Sequence, residues 1–571
     1  MNYSFLGRIK VLSFCILLFA GALILKLFFV QIIHQSSYSQ RADRQYSTPS
    51  SDIFERGTIS FTRKDNILVS GSVQVSGFKL AITNKDIVDI ENTYKNIASV
   101  ITIDHDTFLS KASKKNDPYE EIATHLTKEQ ADKISSFNMK GVNIYKEKWR
   151  FYPGGDMAAH SLGLVGFKGD ELAGRYGLER QYNNVLSRNK DNPYINFFAE
   201  VFSNLKETLF ADSTERAGDL VTTIEPSVQA FLSNKLLEVK ENYNIDSIGG
   251  IIMNPADGSI YALDVKPSFD PNDFSKIKNV KTFSNPLVEN VYEFGSVIKP
   301  LVMSAGLDLG VVTANTKYDD KGFVIIEKKQ INNFDKKGRG PGTSMQDVLN
   351  QSLNTGMVYV YQHLGKENLR NYMLSYGLKD KTGIDLPNET SGLVNNLNSP
   401  RELEYANAAF GQGIAMTPIE IVRALASLGN GGNLVTPHLV SKIKYNDGSE
   451  KEMVYPTQRV KFSEKTSREI TRMLVTVMDK SLKSGAAKFE HYTVAVKTGT
   501  AQVAKENGGG YYEDRHTHSF FGYFPAYNPK FIIFLYAVNP KGVAYASQTW
   551  ADPFLEITKF LLNYYEVSPD R

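Results

Sequence analysis

From Val11 to Ile33 the chain reads VLSFCILLFAGALILKLFFVQII, 23 residues in which Lys26 is the only charge. At about 1.5 Å per residue a helix of this length spans ~35 Å, enough to cross a ~30 Å hydrocarbon core. Lys26 lies near the outer end, where its long stem reaches the interface. Arg8 and Lys10 flank the run on its N-terminal side. That asymmetry predicts a cytoplasmic segment 1–10, a membrane anchor 11–33 and export of all that follows. Ala20-Gly21-Ala22 resembles a signal-peptide cleavage site, but the apolar run continues through Leu23-Ile24-Leu25, so the anchor is expected to stay uncleaved. Phe14 directly before Cys15 argues against a lipoprotein signal.

An exported chain of 571 residues with one cysteine, Cys15, has no intrachain disulfide and no multi-cysteine metal site. It must rely on its core, and its length allows two or three domains. Hydrophobic residues at 42% and charged residues at 22% fit a globular fold. The net charge of +3, from 65 basic and 62 acidic residues, gives no electrostatic warrant for nucleic-acid binding. Glycine loops of the Walker or dinucleotide type are missing, as is any H-E-x-x-H zinc motif. His516 and His518 alternate, a pattern more often met in ordinary hydrogen-bonding histidines than in metal ligands. Chemistry without metal or cofactor is the expectation.

Residues 34–215 alternate short β-rich runs (57–61, 67–75, 78–82) with charged helical stretches (87–101, 128–136). A polar segment, KETLFADSTERAGD, marks a boundary near 215. Beyond it, over 216–571, Leu220–Ile224 reads as a strand and Pro226 opens a helix to about Tyr243. Two β runs around Asn254-Pro-Ala-Asp-Gly258 form a hairpin. Helical patterns follow at 296–309, 344–364, 418–428 and 467–481, then strands at 493–503, 518–524 and 531–538, and a helix over 553–565. This order predicts an α+β domain, one antiparallel sheet covered by helices.

Three short elements stand out: Ser296-Val-Ile-Lys299, Ser352-Leu-Asn354 and Lys497-Thr-Gly-Thr500. Each recurs elsewhere, since Ser-x-x-Lys begins at six serines and Lys-[Ser/Thr]-Gly at three lysines, so context must select. Pro300 lacks an N–H and fits only the first turn of a helix, which therefore starts close to Ser296. There Ser296 sits among free N–H groups at the positive helix end, a place that suits an oxyanion, and Lys299 lies one turn on. A buried lysine near another cation has a lowered pKa and supplies a neutral amine as base. Lys497 lies in a β-patterned run, where side-chain-free Gly499 predicts close approach of a substrate backbone to the strand edge. Alternation puts Thr498 and Thr500 on the face opposite Lys497. The three motifs come in the order, 56 and 145 residues apart, that marks penicillin-binding proteins and class A β-lactamases.

Nearly the whole chain resembles a class B penicillin-binding protein. The resemblance also rests on Arg56-Gly-Thr-Ile59, Arg150-Phe-Tyr-Pro153, Ala158-Ala-His160, Gly177-Leu-Glu179, Gly383-Ile-Asp-Leu-Pro387, Phe410-Gly-Gln-Gly-Ile414 and Asn430-Gly-Gly432. It departs at Phe294, where the family usually has Pro, at Val297-Ile298 in place of Thr-Phe, and at the bulky Leu353. The resemblance implies an elongated pedestal (dimerisation) domain over 34–215 and a β-lactamase-like transpeptidase domain over 216–571. It implies a peptidoglycan D,D-transpeptidase in which Ser296 is acylated by stem peptides or β-lactams. Lys299 is then the base, Ser352 the proton relay and Asn354 a ligand of the substrate peptide. Lys497 supplies positive charge, Thr498 and Thr500 hold the terminal carboxylate, and the N–H groups of Ser296 and Thr500 form the oxyanion hole. Implied partners are stem peptides on lipid II-derived strands, a multi-span membrane glycosyltransferase and division proteins, at the inner membrane. The wording of Tyr152-Pro-Gly-Gly-Asp-Met-Ala-Ala-His160, and a pedestal without a long insertion before Gly177-Leu-Glu179, are closer to septal than to elongation members. The alternatives are a carboxypeptidase or β-lactamase-like hydrolase, or a non-catalytic scaffold or β-lactam sensor. No motif residue is missing, and no Glu-x-x-Leu-Asn segment lies between Ser352 and Lys497.

Overall fold

The computed structural model describes residues 55–114, 119–168, 171–188, 216–505 and 508–571, together with Phe19. The anchor expected over 11–33 otherwise lies outside the described residues, among which no helix is long and apolar enough to cross a membrane. The described chain forms two compact units, 76–149 and 55–75 with 150–571. Residues 150–188 fall in the same compact unit as the C-terminal part.

In the smaller unit residues 78–82 of the strand Leu68–Ile82 pair with Glu120–Leu126, and the strand Val142–Phe151 also pairs with Leu68–Ile82. Three helices close its core of Leu80, Ile82, Ile97, Phe108, Leu126 and Ile134. Each helix starts at a side-chain cap: Asp89, Asp104 and Thr127 accept from the backbone N–H three residues on. The helix expected over 87–101 is therefore Ile90–Ala98, cut at its front by the Asp89 cap.

The larger unit is built on a five-stranded antiparallel sheet in the order Ala495–Ala504, Tyr511–Phe524, Phe531–Val538, Ser247–Met253, Ile260–Lys266. Successive side chains of a strand point to opposite faces. A Cβ on Gly522 would lie 2.4 Å from the ring of Phe554 in the helix Ala546–Tyr564. The next residue, Tyr523, bonds Thr471 of the helix Glu464–Lys480 at 2.8 Å. Helices thus cover both faces, which makes Phe531–Val538 apolar throughout. On one side Phe231 of the helix Pro226–Tyr243 stacks on Phe560 at 4.2 Å.

Two elements depart from the sequence reading. The helix expected over 344–364 is two helices, Met345–Asn350 and Asn354–Ser375, parted at Ser352, whose φ is 53°. The last helix begins at Ala546, seven residues before the expected start at Pro553, so Pro553 stands inside it. Burial of Ala546, Thr549 and Trp550 holds that first stretch in place despite the proline.

Three of the segments noted in the sequence meet at one buried carboxylate within the larger unit. Glu179 pairs with Arg56 Nε at 2.5 Å and with Arg150 Nε at 2.6 Å. The remaining guanidinium donors reach the Glu179 and Gly57 carbonyls, Asn183 Oδ1 and Ser72 Oγ. Burial alone would raise the Glu179 carboxyl, but Arg150 and Arg56 hold it below its ordinary value of 4.5. Its stabilisation is present above that value and lost as pH falls through the folded one. Glu179→Gln should destabilise the fold by about 3–5 kcal/mol at pH 7 by leaving two buried cations uncompensated. The deficit should shrink in acid; equal thermal midpoints for variant and parent at pH 7 would reject this account.

Candidate active site

Ser296 lies in a 3-10 turn, Gly295–Ile298, that runs directly into the helix Lys299–Asp308 with Pro300 in its first turn. Gly295 has φ +60°, and a Cβ there would sit 2.7 Å from the Thr500 carbonyl oxygen. A glycine at this point lets the turn lie against the strand Ala495–Ala504. Among the described residues that strand is the sheet's edge, paired only with Tyr511–Phe524. Ser519 secures the contact by donating to the Phe294 carbonyl at 2.8 Å.

The lysines are the best-buried groups of the site: Lys299 is 0% and Lys497 2% exposed. Lys299 Nζ contacts the Ser352 carbonyl at 2.6 Å, Ser352 Oγ at 3.2 Å and Asn354 Oδ1 at 2.8 Å. Lys497 Nζ donates to Ser352 Oγ at 3.0 Å and to the Thr498 carbonyl at 3.1 Å. The Ser352 hydroxyl therefore stands between two amines. Burial, reinforced by the neighbouring Lys497, pushes Lys299 well below the ordinary lysine range, and burial lowers Lys497 to about 7. That shift favours the neutral amine, which has two N–H groups and a lone pair. The Ser352 carbonyl and Asn354 Oδ1 only accept, so they take the two N–H groups, and the lone pair remains for a hydroxyl. Among the described residues the Ser296 hydroxyl has no hydrogen-bond partner, so Lys299, one turn away, does not bond it here.

The left-handed conformation of Ser352 is held by residues that the sequence reading did not single out. Asn354 Nδ2 donates to the Asn332 carbonyl at 2.9 Å. The Thr355 hydroxyl bonds Asp320 Oδ1 at 2.8 Å, Asn333 Oδ1 at 3.0 Å and Tyr318 at 3.0 Å. These partners come from 20 to 40 positions upstream in no motif; only the adjacency of Thr355 to Asn354 gave a local hint.

Thr498 and Thr500 are half-buried, on the face away from Lys497, and Thr500 Oγ1 accepts from the Ala546 N–H at 3.1 Å. At Gly499 the protein's own backbone comes close. A Cβ there would meet the Phe294 carbonyl at 2.3 Å and Ser519 Oγ at 2.4 Å. The glycine thus admits the Ser296 turn. His518 is buried with Nδ1 on Thr549 Oγ1 at 2.8 Å, and burial lowers it to about 4. Among the described residues no three His, Cys, Asp or Glu side chains converge to hold a metal.

A serine at a helix start, two buried lysines and an edge strand are the groups that a serine acyltransferase would use. Residues 248–559 match the penicillin binding protein transpeptidase domain and residues 54–200 the penicillin-binding protein dimerisation domain. Stage V sporulation protein D of Bacillus subtilis is 31% identical over 476 residues, covering 81% of this chain and 71% of that one. A peptidoglycan D,D-transpeptidase FtsI of Buchnera aphidicola is 27% identical over 99% of this chain and 96% of its own. Penicillin binding protein 2X of Streptococcus thermophilus shares the fold with a TM-score of 0.71 at 20% identity, over 90% of this chain and 81% of that one. The chain belongs to the penicillin-binding-protein transpeptidases. Its pairing of a dimerisation with a transpeptidase domain makes it a class B member.

A lysine whose folded pKa lies near 7 binds fewer protons than the unfolded chain between about pH 7 and 10.4. Its burial therefore destabilises most below pH 7, and the penalty fades as pH rises through that window. Lys497→Met should raise the thermal midpoint at pH 6 and raise it less at pH 10. A pH-independent difference would show that Lys497 is not held with a depressed pKa.

Proposed function

We propose that this protein is a peptidoglycan D,D-transpeptidase, crosslinking stem peptides through an acyl-enzyme on Ser296. The observation that carries the reading is the Ser352 hydroxyl held between the two buried amines of Lys299 and Lys497. Ser296 Oγ attacks the carbonyl between the last two D-alanines and gives its proton to neutral Lys299. The C–N bond breaks, and the departing amine of D-alanine receives a proton through Ser352. The N–H groups of Ser296 and Thr500 stabilise the oxyanion, while Lys497, Thr498 and Thr500 hold the terminal carboxylate. Gly499 contributes by letting the strand close on the Ser296 turn, and Asn354 binds the donor's peptide. The amine of a second stem peptide then attacks the ester, the C–O bond breaks and Ser296 regains its proton. A β-lactam enters by the same first step and stops at the ester.

In this reading residues 1–10 are cytoplasmic and 11–33 anchor the chain in the inner membrane. Residues 34–215 are the pedestal and 216–571 the transpeptidase domain, both outside the cytoplasm. A fragment lacking residues 1–33 should be released in soluble form and take labelled penicillin at Ser296. Ser296→Ala in that fragment should lose the label while keeping its thermal midpoint. A label on another serine would sink the assignment.

The septal role is supported by the segment Tyr152–His160, by a pedestal without a long insertion before Gly177-Leu-Glu179, and by the match to an FtsI over 99% of this chain. It places the anchor beside a multi-span glycosyltransferase and other division proteins. Depletion should give filaments without septa; rounded cells that still divide would assign the enzyme to lateral wall growth instead.

A further inference from the structure

The stretch from Lys317 to Arg339, between the first two motifs, holds seven basic and four acidic residues. Its net +3 equals that of all 571 residues. Within it the strands Phe323–Ile326 and Lys329–Asn332 form a hairpin. Its acids are mostly spoken for. Asp320 is buried in the network behind Thr355, Asp335 pairs with Arg339 at 2.9 Å, and Glu327 pairs with Arg401 at 3.5 Å. Lys317, Lys321, Lys328, Lys329, Lys336 and Lys337 are all exposed, and none forms an ion pair among the described residues. Between them Phe323, Ile325 and Phe334 are 44%, 61% and 54% exposed. One carboxylate fixes this flap to the site: Asp320 accepts from the Gly322 and Arg339 N–H groups, from Asn333 and from Thr355. The Asn332 carbonyl holds Asn354. Whatever sits on the flap is therefore registered to the cleft.

We propose that this flap is the docking surface for the acceptor strand, whose stem-peptide carboxylates its lysines attract while Phe323, Ile325 and Phe334 cover the peptide's apolar parts. The inference rests on the transpeptidase reading and deepens it. Unpaired cations on a rim act over about 10 Å at 0.1 M salt, raising the local concentration of an anionic polymer and hence its association rate. The donor does not need them, because its carboxylate has the Lys497 strand. An amine arriving at the acyl-enzyme has no such dedicated anchor in the motifs. A flap fixed to Asn354 supplies one.

The test uses the full chain in detergent and the variant K321Q/K328Q/K329Q/K336Q/K337Q. Transfer from a D-Ala-D-Ala donor is measured to three acceptors: uncrosslinked peptidoglycan strands, the same strands with amidated carboxylates, and D-alaninamide. The ratio of transfer to native strands over D-alaninamide should fall at least about five-fold in the variant. In the parent it should fall with salt between roughly 50 and 300 mM, and amidated strands should behave as the variant does. An unchanged ratio overturns the proposal, and so does an equal loss for native and amidated strands. Penicillin labelling of Ser296 is followed in parallel and reports on the transpeptidase reading separately. If the five-fold variant loses that label through misfolding, K328Q and K336Q singly, read by the same ratio, decide the matter.

Discussion

Two lysine amines share one serine hydroxyl inside the protein, and most of the transpeptidase unit's local geometry serves to bring them there. Two ammonium groups at such a distance in a buried site repel strongly, so the pair is tenable only if one amine is neutral. Among the described residues no carboxylate contacts either nitrogen. The lysines are compensated instead by dipoles: the Ser352 and Thr498 carbonyls, Asn354 Oδ1 and the Ser352 hydroxyl. Dipoles stabilise a cation less than an anion does. The pair is therefore poised to exchange a proton rather than to store one.

That arrangement requires a break in a helix at Ser352. A non-glycine residue at φ 53° costs of order 1–3 kcal/mol and persists only where its surroundings over-determine it. Here the surroundings are Asp320, Asn333 and Thr355, a fully bonded polar network. The sequence could not show the break. Residues 344–364 keep a helical apolar pattern, and neither Gly nor Pro stands at 351–353. What interrupts the helix is tertiary, supplied by a hairpin folded over it. Pro553 misled in the opposite direction: local chemistry called for a helix start, and burial of the turn before it overrode that.

Other parts were legible because the signal was local. The Pro300 rule located the start of the helix near Ser296 to within three residues. The strand Phe531–Val538 and the helix Pro226–Tyr243 stand where their patterns put them. Arg56, Arg150 and Glu179 were visible as segments but not as partners, because an ion pair over 123 residues of separation leaves no trace in spacing. Gly499 shows a subtler limit. A glycine in a strand announces a close approach, but not which side it comes from, and here the protein's own Ser296 turn fills the space.

The same site chemistry bears on why transfer, rather than hydrolysis, is the outcome. Water attacks an ester slowly unless a base takes its proton, and a carboxylate is the usual device for that. The acid closest in sequence to Ser296 is Glu293, three residues before it. Its carboxylate is occupied by the Tyr511 hydroxyl at 3.1 Å, and burial pushes its pKa up. An amine nucleophile needs less help, since it attacks unprotonated and must only shed a proton afterwards. In the proposed relay a neutral lysine beside a bridging serine meets that need, accepting the proton through Ser352 and returning it to Ser296 as the ester breaks. A pair of lysines that, among the described residues, touch only carbonyl, amide and hydroxyl oxygens thus favours an arriving amine over water.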